Sequence, residues 1–366
     1  MKAPQKNSKG RPDFLLLIMT LILVGFGLVM VFSASSGIAV VAPKYDNDAL
    51  YFTKRQLIFA CLGIFIMFFL MNIPFRKIGK LQILFFIPVI IMLAIVPLIS
   101  EEVNGAKSWL YLGGFGIQPT EFAKLALILY LGTLIAKKGE KFRSFKRGLV
   151  PVLVIIALVS FLIMMQPDLG GVIIIVSCAA MMIWAGGANL KQLFFTAVSG
   201  VAVLAPIVLI SYAISPKRWE YRIARFTSYK DPLAYAQGDS FQLISSLQAL
   251  GHGGIAGAGF GESVQKLHYL KFAYNDFIFS IIAEELGFIG AALFILFYLV
   301  FIWRGLIVAV RCPNTFGMVT GVGIVSLLAF QAFIHIGGVT GAIPLTGVTL
   351  PFISYGGSSL LVTLMC

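Results

Sequence analysis

This sequence predicts an all-α, polytopic integral membrane protein with ten transmembrane helices and one large extracytoplasmic loop. Three observations carry that prediction. Of 366 residues, 59% are hydrophobic and 12% charged, with mean hydropathy +0.95; soluble domains carry roughly 25% charged residues. Apolar runs of about 20 residues recur, the length that crosses ~30 Å of hydrocarbon as a helix. One stretch, residues 215–275, breaks the apolar pattern with charges and glycines. A closed β-barrel is excluded, because its strands would be about 10 residues long and would alternate polar with apolar.

Apolar length places spans at Phe14–Phe32, Leu57–Ile73, Leu81–Ile99, Thr120–Ala136, Leu149–Met165, Gly171–Ala185, Leu193–Ile214, Phe277–Trp303 and Phe316–Ile336. A tenth starts after Leu350 and reaches Cys366. That is at or below the roughly 17 residues a crossing needs, so the tenth helix is expected to be truncated. The first run follows a basic segment and precedes Ser33, Ala34, Ser35 and Ser36, which imitates a signal peptide. It exceeds the roughly 7–15 residues of a signal core and reads as an uncleaved helix. No internal repeat or separate soluble module interrupts residues 1–366, so one membrane domain is expected, with the loop 215–275 inside it.

Basic residues orient the spans. Lys2, Lys6, Lys9 and Arg11 precede the first, and Arg76, Lys77 and Lys80 follow the second. Lys137, Lys138, Lys141, Arg143, Lys146 and Arg147 crowd one later loop. The intervening short loops hold only Lys44, Lys54, Arg55 and Lys107. The rule that cytoplasmic loops are lysine- and arginine-rich puts the N-terminus in the cytoplasm and residues 215–275 outside. The net charge of +13 therefore does not point to nucleic acid. Basic loops set topology and meet anionic membrane lipids. Cys61, Cys178, Cys312 and Cys366 are scattered without metal or redox spacing.

Ionisable groups inside spans cost on the order of 3 kcal/mol and mark function by default. Gln118-Pro119-Thr120-Glu121-Phe122-Ala123-Lys124 opens a helix at its proline. Glu121 and Lys124, three apart, share a face. They form either a structural ion pair or a phosphate contact made by Lys124 and positioned by Glu121. Asp168, in Gln166-Pro167-Asp168-Leu169-Gly170-Gly171, either caps the next helix or binds a cation or sugar. Asp276 stands at the mouth of the next apolar run, in Tyr274-Asn275-Asp276-Phe277. It is either another helix cap or a carboxylate in reach of water and substrate. Helical geometry puts Glu284 about 80° around the axis from Asp276 and Glu285 on the opposite side. Those two are expected to pair with groups on neighbouring helices.

Two patterns carry no chemistry. Gly251-His252-Gly253-Gly254-Ile255-Ala256 fits the loose dinucleotide pattern, which has meaning only between a strand and a helix. Here it follows Phe241, Ile244, Leu247 and Leu250, a helix-like spacing. His252, His268 and His335 lack metal-ligand spacing.

Taken together, Gln118–Lys124, Gln166–Gly170, Gly257–Ser263, Asn275–Gly287 and Gly341–Ser359 resemble the SEDS family (shape, elongation, division and sporulation), which contains FtsW, RodA and SpoVE. The resemblance spans nearly the whole chain. It implies a ten-helix membrane glycosyltransferase that polymerises lipid II into peptidoglycan strands outside the cytoplasmic membrane, with a class B penicillin-binding protein as crosslinking partner. The family's essential acidic residue falls on Asp276. Its further positions fall on Arg55, Glu121, Lys124 and Lys266. Gly171 stands where the family often has threonine, which puts a hydroxyl contact there in doubt. Thr349-Leu350-Pro351 is closer to the FtsW and SpoVE branch, hence to division or sporulation.

On that resemblance, Asp276 is the general base for the acceptor hydroxyl. Asp168 is a substrate contact. Arg55, Lys124, Lys266, Arg218, Arg222 and Arg225, or a divalent cation such as Mg²⁺ or Mn²⁺, would balance the leaving pyrophosphate. A lipid II flippase is the competing reading, since an intramembrane ion pair and proline-broken helices serve transport too. A scaffold that only recruits a transpeptidase is a third.

Overall fold

The computed structural model describes residues 12–100, 108–112, 115–166, 168–189, 240–267 and 269–366, and positions 191, 192, 194, 195, 212 and 229. Most of the expected span Leu193–Ile214, together with Arg218, Arg222, Arg225 and His268, lies outside the described residues.

The chain is a helical, multi-pass membrane protein. Its main helices are α1 (Phe14–Val41), α2 (Tyr51–Met71), α3 (Phe75–Ile99), α4 (Pro119–Lys138), α5 (Val150–Met164), α6 (Leu169–Ala185), α7 (Phe241–Gly253), α8 (Ile278–Val310), α9 (Thr315–Val339) and α10 (Gly357–Met365). Among the described residues, seven helices are long and apolar enough to cross a membrane, and α6 is a shorter apolar one. The sides that face outward are apolar too. Phe65 on α2, Leu84 on α3 and Phe288 on α8 are each about 70% exposed, as lipid-facing side chains should be. The helices α4 and α9 are enclosed over most of their surface and α2 over little of it.

The buried side chains form two clusters. One joins α1, α2, α8 and α10 through Leu23, Met30, Phe52, Ile278, Phe301 and Leu360. The other joins α3 to α6 through Leu93, Leu127, Val152, Ile163 and Met182. α9 feeds both, with Leu328 and Ala332 in the first and Val319 and Leu327 in the second. The segment after α9, residues 340–356, does the same on a smaller scale. Its Leu350, Phe352 and Ile353 enter the first cluster and its Val348 the second. It straps the two halves together at one end of the bundle.

Four elements differ from the sequence expectation. α1 runs through the small residues to Val41. Ser35 returns its hydroxyl to the Val31 carbonyl and Ser33 finds a carboxylate on α8, so neither breaks the helix. A two-stranded hairpin, β1 (Leu110–Leu112) and β2 (Phe115–Ile117), interrupts the all-α pattern, with Leu110 opposite Ile117. Its sequence signal is Gly113-Gly114 between two short apolar triplets. α7 packs through Leu243 and a set of small residues, Ser245, Ser246, Ala249 and Gly253. Phe241 and Leu247 of the expected apolar stripe are exposed instead.

α8, finally, is interrupted at Gly287, where φ is 67°. Only glycine adopts that backbone without strain. The break frees helix hydrogen-bonding groups, and the loop after α7 takes them up. Ala258 N donates to Glu284 O (2.9 Å) and Gly259 N to Glu285 O (3.1 Å), while Phe288 N donates to Gly254 O (2.9 Å) and Ile289 N to Ile255 O (3.2 Å). The glycines that imitate a dinucleotide motif lead into this splice.

Candidate active site

Asp276 sits in the turn that opens α8. The turn closes on itself, with Asn275 N and Asp276 N both donating to Phe272 O, at 3.0 and 3.1 Å. Phe277 immediately precedes the first turn of α8 and gives it no side-chain cap bond. The strap 340–356 lies alongside: a Cβ on Gly347 would come within 3.8 Å of Asp276 Oδ2. The next strap residue, Val348, packs on Gly170 at the start of α6. The strap thus connects the Asp276 half of the bundle to the half that carries the other acidic motifs.

In that second half, Glu121 and Lys124 form the ion pair their spacing predicts, Nζ to Oε1 2.7 Å, both buried. Asp168 caps α6, its Oδ1 accepting from Gly171 N at 2.7 Å. Desolvation pushes its carboxyl above the ordinary value, while the Gly171 N–H and Lys124 pull it back. Asp168, Glu121 and Lys124 therefore feel one another's charge. The α4 start is pinned to the start of α10: Gln118 N donates to Ser358 Oγ (3.2 Å), which donates to Gly116 O (3.1 Å).

On the Asp276 side, Arg55 projects from the first turns of α2, its guanidinium 4.7 Å from the centre of the Tyr51 ring. It also contacts the Tyr355 hydroxyl. Phe52, Tyr274 and Tyr355 interlock, with Phe52–Tyr274 centroids 4.4 Å and Tyr274–Tyr355 centroids 5.6 Å apart. Burial pushes the Tyr274 phenol well up, and Tyr45, Tyr355 and Asp276 add to it. Burial likewise raises Tyr355, against the opposing Arg55. Both phenols stay protonated donors at neutral pH. Arg55 and Asp276 flank this aromatic pair.

Lys266 is placed otherwise. It is buried, and its Nζ donates to Glu285 Oε1 (2.7 Å), Gly261 O (2.7 Å) and Ser33 Oγ (3.1 Å). Ser33 donates to the same Glu285 oxygen at 2.5 Å. Its charge is thus engaged by a carboxylate away from the strap. Glu284 accepts from Ser263 Oγ (2.5 Å), Val264 N (3.0 Å), Gln265 N (3.4 Å) and His252 Nδ1 (2.9 Å). The expected partners on neighbouring helices are Ser33 of α1 for Glu285 and His252 of α7 for Glu284, while Lys266, Ser263, Val264 and Gln265 come from the loop after α7. Arg218 lies outside the described residues. Sequence reading passed over Gln56, Gly347, Ser354 and Tyr355, which the structure places around Asp276. Their signals were a polar side chain in the first turns of a span and a long run of small and polar residues, Gly341–Ser359.

No group of three histidine, cysteine, aspartate or glutamate side chains gathers among the described residues. The donor set does fit a substrate-borne Mg²⁺ or Mn²⁺, which uses one or two carboxylates plus phosphate oxygens. Beside Asp276, the buried Asn275 Oδ1 has no hydrogen-bond partner.

Residues 14–366 match the family described as cell cycle protein, of FtsW, RodA and SpoVE. Stage V sporulation protein E of Bacillus subtilis is 44% identical over 364 residues, covering 98% of this chain and 96% of its own. A probable peptidoglycan glycosyltransferase FtsW of Geobacter metallireducens is 39% identical over 356 residues, covering 97% and 92%. Among solved structures, a chain described under "Structural coordination of polymerization and crosslinking by a peptidoglycan synthase complex" superposes with a TM-score of 0.75 at 26% identity, covering 96% of this chain and 94% of that one. Thermus thermophilus RodA gives 0.68 at 25% identity, covering 96% and 93%. The motifs, the helical membrane fold and these near-complete matches together make this chain a member of the FtsW/RodA/SpoVE family.

Proposed function

We propose that this chain is a peptidoglycan glycosyltransferase that polymerises lipid II into glycan strands on the outer face of the cytoplasmic membrane, with Asp276 as general base. The observation that carries the reading is the placement of Asp276 beside Gly347. The carboxylate stands against the strap that joins the two halves of the bundle, Arg55 belonging to one half and Lys124 to the other. The proposed topology is ten spans in one domain over residues 1–366, the N-terminus cytoplasmic and residues 215–275 outside.

In the reaction, the 4-hydroxyl of an acceptor GlcNAc forms a bond to C1 of a donor MurNAc while the bond from C1 to the lipid pyrophosphate breaks. Direct displacement inverts the donor linkage from α to β. The hydroxyl proton passes to the Asp276 carboxylate as the bond forms. The departing pyrophosphate needs fixed positive charge. Arg55 and Lys124 supply it, Lys124 oriented by Glu121. Asp168, fixed by its cap bond, is a contact for donor or acceptor sugar. Arg218 is a further pyrophosphate contact. Lys266, engaged by Glu285, serves the loop more directly than the substrate. A bound Mg²⁺ or Mn²⁺ would be held by Asp276, Asn275 Oδ1 and substrate oxygens, and would neutralise pyrophosphate charge.

The proposed partner is a class B penicillin-binding protein supplying crosslinks, a pairing supported by the synthase complex whose chain this one resembles. The proposed setting is division or sporulation, supported by the FtsW and SpoVE relatives.

Polymerisation of purified lipid II in detergent tests the reading. Wild type should make glycan, which a flippase would not. Asp276→Asn should lose about 10²-fold or more, the usual worth of a general base, with an unchanged unfolding temperature. Full activity in a stable Asp276→Asn enzyme would remove Asp276 as the base.

A further inference from the structure

Two consecutive carbonyls immediately before Asp276 are tied to two consecutive residues of the strap. The Asn275 carbonyl accepts from Ser354 Oγ at 2.7 Å. The Tyr274 carbonyl accepts from Tyr355 N at 2.9 Å. Ser354 Oγ also accepts from Leu350 N at 2.8 Å, which closes the strap's own turn and fixes the hydroxyl's direction. A hydroxyl has one proton, and the Leu350 bond leaves that proton for Asn275.

Gln56 locks this arrangement from α2. Its Nε2 donates to Ser354 O (3.1 Å) and its Oε1 accepts from Gly356 N (3.2 Å), so one side chain straddles Tyr355. Gln56 and Ser354 are 1% and 4% exposed. In that setting a lost partner leaves a buried polar group unsatisfied, at a cost greater than the bond's net worth. Both loops also carry a phenylalanine at positive φ, Phe272 at 59° and Phe352 at 68°. Bulky residues avoid that region, and such backbone persists where its surroundings over-determine it. The bonds from Gln56 and Ser354 are part of what holds these two loops in that shape.

We propose that Ser354 is a positioning residue for Asp276, kept in register by Gln56. The Asp276 carboxylate is then placed from the strap and α2 as well as from α8. Ser354 acts through the Asn275 peptide and touches no substrate. The inference rests on the reading of Asp276 as base. Misplacing a reacting group by about 1 Å can cost about 10²-fold in rate, so the effect belongs in kcat rather than in KM.

The test is steady-state lipid II polymerisation by Ser354→Ala, Ser354→Thr, Gln56→Glu and Asp276→Asn, each with its unfolding temperature. Ser354→Ala should lower kcat by about tenfold to a hundredfold, with KM changed by less than about twofold. Ser354→Thr, which keeps the hydroxyl, should recover most of that loss. Gln56→Glu keeps the acceptor for Gly356 N but loses the donor to Ser354 O, and should show the same kcat-selective defect; it decides the matter if Ser354→Ala does not fold. A folded Ser354→Ala enzyme with wild-type kcat, or one that loses affinity and rate together with no recovery in Ser354→Thr, would overturn the proposal. Full activity in Asp276→Asn would instead overturn the base assignment, so the two failures are distinct.

Discussion

Lys266 Nζ and Glu285 Oε1 lie 2.7 Å apart in a buried ion pair that fastens the loop after α7 to α8. Ser33 of α1 bonds to both partners. Removing one member of such a pair leaves an uncompensated charge, which costs about 3–5 kcal/mol. Glu285→Gln and Lys266→Met should each destabilise by that order. The double replacement Lys266→Met/Glu285→Gln should recover much of the loss, because no charge stays buried. Chemical unfolding in detergent reads all three, and additive losses in the double variant would argue against a coupled pair.

The break in α8 gives a second expectation. A Cβ at Gly287 would lie 2.2 Å from Gly257 N and 2.6 Å from Ile255 O, both backbone atoms that no rotamer change can move. The residue also holds positive φ. Gly287→Ala should therefore cost about 3 kcal/mol or more, in the range reserved for core disruption. It should also release the Ala258, Gly259, Phe288 and Ile289 bonds across the splice. Amide hydrogen exchange at those four positions checks it, and unchanged protection would contradict the splice.

Reading from sequence reached the fold through local signals and stopped where contacts between distant segments take over. Apolar run length found α1 to α6, α8 and α9, because hydrocarbon solvation acts on each helix separately. The Glu121–Lys124 pair and the Asp168 cap were legible because their partners lie within three residues. Gln56 and Ser354 are 298 residues apart, and nothing in either local pattern announces that they bond. The Gly287 break was hidden for a similar reason. A lone glycine in an apolar run looks tolerable until Gly257, 30 residues earlier, is seen packed against it. Lys266 reads as a substrate cation by family resemblance, and nothing local in its sequence announces the Glu285 partner on α8.

Gly347 separates stability from activity. Its φ of 70° disfavours any side chain, at about 1–2 kcal/mol for a residue forced left-handed. The space itself is open to a methyl, whose nearest neighbour would be Asp276 Oδ2 at 3.8 Å. Gly347→Ala should fold with only that modest loss. It should nevertheless lower lipid II polymerisation by about tenfold or more, since the methyl crowds the approach to the carboxylate and shifts reacting groups. Activity that falls only in step with the folded fraction would mean the strap does not border the reacting groups.

At the opposite end of the bundle, Asp13 caps α1 through Leu16 N (3.0 Å) and forks onto Arg304 of α8, Oδ2 to Nη2 2.6 Å and Oδ1 to Nε 3.2 Å. The Arg304 bond, then the Leu16 N–H, hold the Asp13 carboxyl below the ordinary carboxylate value. A depressed folded pKa means that the unfolded chain binds the proton more readily. The stabilisation is therefore complete above the unfolded value of about 3.9 and is lost as pH falls through the lower folded value. Asp13→Asn should lower the unfolding temperature slightly at about pH 7, since a partly exposed pair is screened. The gap to wild type should narrow as the pH falls below about 3.9, the unfolded carboxylate value. Unfolding temperatures of the two proteins in detergent across that range measure it. A gap that stays constant down to the acid limit would show that the side chain acts as a neutral cap and that its charge on Arg304 contributes nothing.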